Sequence, residues 1–393
     1  MYWKRKAIFF AAGTTLLFMF CIMETGISAE PMPRPLLGAI RWDAWYGKIP
    51  EGTKLRAPKS YPGIPQDLPF SPDPGAETRR ALDEPMWYWR LPFYTEFGKD
   101  GKVSDINGTA REVLEKEIEL ASASGIDYWS FAFYPKDCPL SYTMQSYLTC
   151  PNRAKVPFCL FLILTHKNYG NFTRDPEMQK FALDLAARPE YLKVQGNRPV
   201  FFLSFFTDET LQAFREGVWE NFCKQIEAKG LGRPYAIFNQ PVLNREFKGD
   251  AISAYCPPQI KGEPRPYSDL VKNTESLWLE WEKSGMNVVP CCTAGWDNRP
   301  RMLHPVSWIG GVYSGKWIER YIISGSPQEI AAHIKNGVDW HKTHPSKDGV
   351  KLTIIYAWNE YDEGGWIAPT LPPPVGEGTA RLDAIKKLLR PAY

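Results

Sequence analysis

The sequence predicts an α/β fold, a (β/α)8 barrel filling a single domain. Short apolar runs alternate regularly with segments of helical period, the pattern of a parallel sheet with helical crossovers. About eight such units follow one another, which fits a closed barrel better than an open doubly wound sheet. Neither GxGxxG nor GxxxxGK[ST] follows any of the apolar runs, so nothing points to a nucleotide-binding sheet. At 393 residues the chain is long enough for two average domains, but barrels fill this length as one unit.

The elements run in order. Leu36 to Trp42 is a short apolar strand. Lys48 to about Gly108 is dense in proline (Pro50, Pro58, Pro62, Pro65, Pro69, Pro72, Pro74) and lacks helical period. It reads as a long ordered loop, because Trp87-Tyr88-Trp89 and Phe93-Tyr94 need a surface to pack on. Thr109 to Ala123 has helical spacing and Gly125 ends it. Strands are expected over Ile126–Tyr134, Val156–Leu164, Pro199–Phe206, Tyr235–Phe238, Ala251–Tyr255, Met286–Cys292 and Lys351–Trp358. Helices are expected over Asp175–Ala187, Asp208–Ala228, Ser268–Ser284, Pro327–Lys342 with Ser326 as N-cap, and Glu377–Leu389.

Composition is globular, 44% hydrophobic and 23% charged, with an excess of rings: 15 Trp and 19 Tyr. So many amphipathic rings suit a groove that stacks on sugar faces, or an interface. A net charge of +3, with no basic run beyond Lys4-Arg5-Lys6, argues against a nucleic-acid partner. That basic run precedes an apolar stretch from Ala7 to Met23, and Ile27-Ser28-Ala29 offers small residues for cleavage before Glu30. The expectation is a signal peptide over 1–29, a catalytic domain over 30–393, and a secreted or periplasmic protein without stable membrane insertion. An uncleaved signal-anchor is the alternative, although the stretch is short for a span. Loss of Cys21 leaves seven cysteines, an odd number. Cys138 and Cys150 bracket a loop and suit a disulfide. Cys291-Cys292 lacks a second ligand pair at metal spacing and reads as strand packing.

In a barrel, the chemistry gathers where strands end. Those positions hold Trp42, Asp43, Trp45 and Tyr46 after the first strand, and Tyr134 after the second. Thr165-His166 follow the third, Trp296-Asp297-Asn298-Arg299 the seventh, and Trp358, Asn359, Glu360, Glu363 and Trp366 the eighth. Side chains alternate along a strand, so Glu360 and Glu363 share one pocket only if the strand stops near Trp358 and the chain turns. Gly364-Gly365 permits that turn. Two carboxylates about 5–6 Å apart repel by about 3 kcal/mol at an effective dielectric of 20. That is about two pKa units, enough to lift one glutamate toward about 6 while the other stays charged. Such a pair suits glycoside cleavage, nearer the retaining than the inverting geometry; an acidic surface turn is the plain alternative. Asp43 suits a substrate ligand or a loop cap. The Trp-Asp-Asn-Arg group suits hydroxyl recognition or an Asx turn with a structural ion pair, and His166 suits the pocket or a satisfied loop.

The ordered motifs resemble glycoside hydrolase family 99. They are Trp45-Tyr46-Gly47, the Gly125-to-Pro135 run GIDYWSFAFYP, Gly295-Trp296-Asp297-Asn298-Arg299, and Trp358-Asn359-Glu360 with Glu363-Gly364. The last two look particularly like the related WbsX-like branch. The resemblance implies a (β/α)8 barrel from about Leu36 onward, cofactor-free and metal-free hydrolysis of an α-linked glycan, and a polysaccharide or oligosaccharide substrate. It further implies Glu360 as general base toward the sugar's own 2-hydroxyl, with a 1,2-anhydro intermediate and net retention, and Glu363 as general acid. Asp43, Trp45, Tyr46, Tyr134, Trp296–Arg299, Trp358, Asn359 and Trp366 are then expected around the substrate. Two departures stand out. The third strand ends in Leu164-Thr165-His166 without the family's glutamate, and Tyr361-Asp362 replaces Trp-His or Trp-Gly between the two glutamates. Both bear on mannan specificity and leave the acid/base pair intact. A surface-polysaccharide glycosyltransferase or transglycosylase, and a glycan-binding barrel that does not cleave, are the alternatives.

Overall fold

In a computed structural model the described residues are 32, 34–49, 73–165, 170–256, 264–306 and 320–389. The expected signal peptide, the prolines at 50 to 72 and His166 lie outside them. Among the described residues eight parallel strands form the barrel sheet: β1 (Leu36–Arg41), β2 (Tyr128–Phe133), β3 (Phe158–Ile163), β4 (Arg198–Ser204), β5 (Tyr235–Phe238), β6 (Ala251–Ile252), β7 (Cys291–Thr293) and β8 (Leu352–Tyr356), and a short ninth strand, Lys193–Val194, pairs antiparallel with β4. Neighbours in sequence are neighbours in space, and β8 returns to pair with β1, Gly38 opposite Ile354. The barrel closes between β6 and β7 at one bridge, Ile252 to Val288, where Val289 N–H donates to the Ile252 carbonyl at 2.9 Å. Pro290 has no N–H to give the ladder, which explains why β7 is regular only from Cys291 although Met286 onward reads as strand. In β2 and β3 every residue is buried, so these strands appear in the sequence as unbroken apolar runs.

The helices are α1 (Pro74–Leu82), α2 (Arg111–Ser124), α3 (Tyr142–Tyr147), α4 (Pro176–Ala186), α5 (Asp208–Arg215), α6 (Val218–Ala228), α7 (Pro241–Glu246), α8 (Tyr267–Lys283), α9 (Arg299–Leu303), α10 (Pro327–Thr343) and α11 (Ala380–Leu389). The Ser326 cap of α10 is a full capping box: its hydroxyl accepts from Glu329 N–H while the Glu329 carboxylate returns to the Ser326 backbone. The single helix expected over 208–228 is two, because Gly217 takes a left-handed turn (φ 93°) between α5 and α6. Part of the proline-rich stretch is structured as well: α1, a 3₁₀ turn over Pro85–Arg90, and a hairpin of Thr95–Phe97 with Val103–Ile106. Its aromatics do find a surface, with Trp89 packed 5.2 Å from Trp366. The disulfide expected between Cys138 and Cys150 does not form. Among the described residues no cysteine is in a disulfide, and both of these thiols are buried beside α3, Cys150 facing the Ser146 carbonyl. Among the described residues no helix is long and apolar enough to cross a membrane.

Candidate active site

The eighth strand stops at Tyr356, two residues before the expected turn. Asn359-Glu360 then pairs antiparallel with Gly365-Trp366, and Tyr361–Glu363 forms one 3₁₀ turn between them. Glu360 caps that turn and Glu363 ends it, and both side chains leave on the side where Arg301 lies. The turn is seated by the segment after β7. Asp297 N–H donates to the Glu363 carbonyl at 2.6 Å, and a Cβ on Gly295 would lie 2.2 Å from the Gly364 oxygen. Only glycine permits that approach.

One guanidinium organises the charge. Arg301, at the end of the first turn of α9, grips Asp362 with two bonds, Nε to Oδ2 at 2.6 Å and Nη2 to Oδ1 at 3.0 Å. The same Nη2 reaches Glu360 Oε2 at 3.3 Å, and Nη1 donates to Glu363 Oε1. Tyr255 completes Glu360, its hydroxyl donating to Oε1 at 2.9 Å, and the Tyr356 hydroxyl donates to Glu363 Oε2. Burial and the Glu363 charge push the Glu360 carboxyl well above the ordinary range, against the pull of Arg301. Burial also raises Glu363, but Arg301 and the Tyr356 hydroxyl hold it back. The site therefore keeps a proton on the pair more readily than water would.

The walls are aromatic. Trp42 lies with its ring centroid 5.0 Å from the Arg301 guanidinium, and its indole N–H donates to the Tyr134 hydroxyl at 2.8 Å. Trp296 packs 5.8 Å from Tyr356. At the end of β4, Phe205 is 40% exposed, holds a left-handed backbone (φ 59°) and meets the Tyr255 ring edge-on at 4.9 Å. A bulky side chain rarely adopts that φ, and such residues gather at ligand clamps. A groove of about 810 Å³ is lined by Pro135, Lys136, Asp137, Asp175, Glu177 and Lys180, and none of the residues around the glutamate pair lines it.

Several expected substrate residues make bonds within the protein. Asp43 accepts from Arg41 Nε and Nη2 at 3.2 and 3.0 Å and from Asn359 Nδ2 at 2.9 Å. Arg41 also donates to Glu117, which accepts from the Trp358 indole at 3.1 Å, and the guanidinium stacks 4.4 Å from Trp129. This buried net meets the glutamate turn at Trp358 and Asn359, and Trp45 joins it through the Asn359 carbonyl at 2.8 Å. Burial pushes the Glu117 carboxyl up, with Arg41 opposing. Burial alone would raise Asp297 too, but Arg299 and Arg90 together hold it below the carboxylate range. Arg299 in turn lies 3.5 Å over the Tyr321 ring, and Asn298 is buried beside them. Tyr46 bonds Asp73 at 2.7 Å and so holds the start of α1. Trp366 lies 3.7 Å under the Arg381 guanidinium. Of the expected residues, Glu360, Glu363, Tyr134 and Trp296 gather at the pair, while Arg301, Asp362, Tyr255, Tyr356 and Phe205 were not anticipated. A signal for Arg301 existed: three acidic residues within four positions need a counter-cation, and the neighbouring loop offers Arg299 and Arg301. Among the described residues no group of three or more His, Cys, Asp or Glu is arranged to hold a metal ion.

Comparison with known proteins bears on this barrel. It superposes on the structure of a glycoside hydrolase-like protein with a TM-score of 0.51, over 91% of this chain and 94% of the other, at 12% identity. The likeness establishes the fold. A GH99 endo-alpha-mannosidase from Bacteroides thetaiotaomicron also matches, with a TM-score of 0.49 at 12% identity over 91% of this chain and 98% of that one. A GH29 alpha-L-fucosidase from the same organism gives 0.38 at 13% identity, over 90% of this chain and 72% of that one. No family model matches the sequence, and no curated protein does.

Proposed function

We propose that the protein is an exported, retaining glycoside hydrolase of an α-linked glycan, with Glu360 as general base and Glu363 as general acid. One observation carries the reading: two buried glutamates, both with raised proton affinity, meet the two outer nitrogens of a single guanidinium at the end of the last barrel strand. Carboxyls within one guanidinium's reach suit the roughly 5 Å separation of retaining enzymes better than the wider inverting one. In the first step the 2-hydroxyl oxygen attacks C1 and its proton passes to Glu360, while the C1–oxygen bond breaks and Glu363 protonates the leaving oxygen. Water then opens the three-membered ring at C1, giving a proton to Glu363, and Glu360 returns one to O2. The rings of Trp42, Tyr134, Trp296 and Phe205 are the surfaces offered to a sugar.

The same pair also admits a second assignment. Burial raises the proton affinity of both carboxyls in the coupled pair, so the roles can also be exchanged, with Glu360 as acid and Glu363 as base. A panel of α-linked glycans with product analysis tests the activity, and Glu360→Gln and Glu363→Gln test the residues. Each is expected to slow cleavage by about a thousandfold. A glycosyl fluoride leaves without a proton, so Glu363→Gln should still cleave it and Glu360→Gln should not; the reverse pattern selects the exchanged roles. If the wild type cleaves a glycan and either variant stays within a few-fold of it, the proposal is wrong.

A further inference from the structure

We infer that Arg301, gripped by Asp362, is a positioning residue that fixes the spacing and the charge state of the Glu360–Glu363 pair. What the pair then does rests on the hydrolase reading above, but the arrangement itself does not. Asp362 is fully buried and takes two of Arg301's bonds in the planar, forked geometry that only a guanidinium offers. That grip leaves Nη1 for Glu363 and a second direction on Nη2 for Glu360. Trp42 covers the face of the guanidinium, and Tyr134 anchors Trp42. The fork is therefore held in plane and cannot follow either glutamate if it drifts.

The charge count follows from the groups that face the pair. Three carboxylates meet one cation. The other titratable neighbours are the phenols of Tyr134, Tyr255 and Tyr356 and the thiol of Cys256, all pushed up by burial and neutral near pH 7. Among the described residues Arg301 is thus the one cation in contact with either glutamate. Asp362 acts on the same two carboxyls with the opposite sign. The sequence departure at Asp362 acquires a role in this way: it is the anion that aims the fork.

Opposite signs make the inference testable without knowing the glycan. The full chain, carrying carboxyl-¹³C glutamate, is titrated by NMR, with Glu360→Gln and Glu363→Gln assigning the two signals. Arg301→Met should move both carboxyls up by at least about one pH unit, and Asp362→Asn should move both down by at least about half a unit. Arg301→Lys, which keeps the charge and loses the fork, should shift them less than Arg301→Met. On a cleaved glycan, Arg301→Met should lower kcat about a hundredfold with KM within a few-fold, and its pH profile should move alkaline. Shifts of the same sign in Arg301→Met and Asp362→Asn, or none in either, overturn the inference. If Arg301→Met does not fold, Asp362→Asn decides alone: a downward shift supports the inference and any other result refutes it. A wild type that cleaves no glycan sinks the hydrolase reading and leaves the titration standing.

Discussion

Replacing Glu360 by Gln should stabilise the protein at neutral and alkaline pH while destroying its activity. Arg301 attracts Glu360 across 3.3 Å, worth about 5 kcal/mol at an effective dielectric of 20. Against this stand two like charges. Asp362 shares Nη2 with Glu360, and Glu363 occupies the adjacent Nη1, so each lies within about 6 Å and repels by about 3 kcal/mol. The Coulomb terms nearly cancel, with repulsion slightly ahead, and the cost of taking a carboxylate out of water is left over. The amide in Glu360→Gln keeps a hydrogen bond to Tyr255 and removes the charge, so a gain of about 1–3 kcal/mol is expected at pH 8.

The pH dependence gives the sharper test. Glu360 titrates near pH 4.3 in the unfolded chain and well above that in the folded one, so the native state holds the extra proton between the two values. Stability contributed by this group is complete below the unfolded value and is lost as pH rises through the folded one, at about 1.4 kcal/mol for each pH unit that separates them. Below pH 4 both states are protonated, and the variant and wild type should be equally stable. The gap should open above pH 4.3 and level off above the folded value. Urea unfolding at pH 4, 6 and 8, with unchanged m-values, measures this gap directly. A pH-independent difference, or a variant less stable than wild type at pH 8, would refute the argument that Glu360 is held at a cost to folding.

Two further substitutions probe how the site is seated and walled. Gly295→Ala puts a Cβ against the Gly364 carbonyl, so the turn carrying Glu363 must shift, and kcat should fall about a hundredfold while the rest of the barrel stays folded; an unchanged kcat would refute this seating. Phe205→Ala removes an exposed ring, so stability should change by less than about 1 kcal/mol while KM for a cleaved glycan rises up to about tenfold. A KM unaffected by the loss would remove Phe205 from the substrate surface.

The barrel was legible because parallel strands must bury both faces: β2 and β3 print as apolar runs, and Ser326 announces α10 through its capping box. The glutamate turn was legible for a stereochemical reason, since two acids three apart next to Gly364-Gly365 serve one pocket only if the strand breaks. What stayed hidden was how each polar residue is satisfied. Trp-Asp-Asn-Arg has the composition of a hydroxyl-binding group, yet Asp297 is filled by Arg90, which lies 207 positions away. Asp43 likewise is filled by Arg41 and Asn359. Arg301 lies 59 positions from Glu360, a pairing set by the meeting of two loops and by no local periodicity. Nor does any local signal give Phe205 its left-handed backbone.

These unreadable contacts share a direction. The Arg41–Asp43–Glu117 net holds the side chains of Trp358 and Asn359, the Asp297 N–H holds the Glu363 carbonyl, and Arg301 grips the carboxyls. Breaking the Arg41 net or the Arg301 grip strands a buried charge, which typically costs about 3–5 kcal/mol. A turn that only had to be stable would use neutral, well-packed residues. Arg301 at the turn and Arg41 in the net beside it offset the cost of keeping carboxylates close together and out of water, and a carboxyl so placed holds its proton to a higher pH.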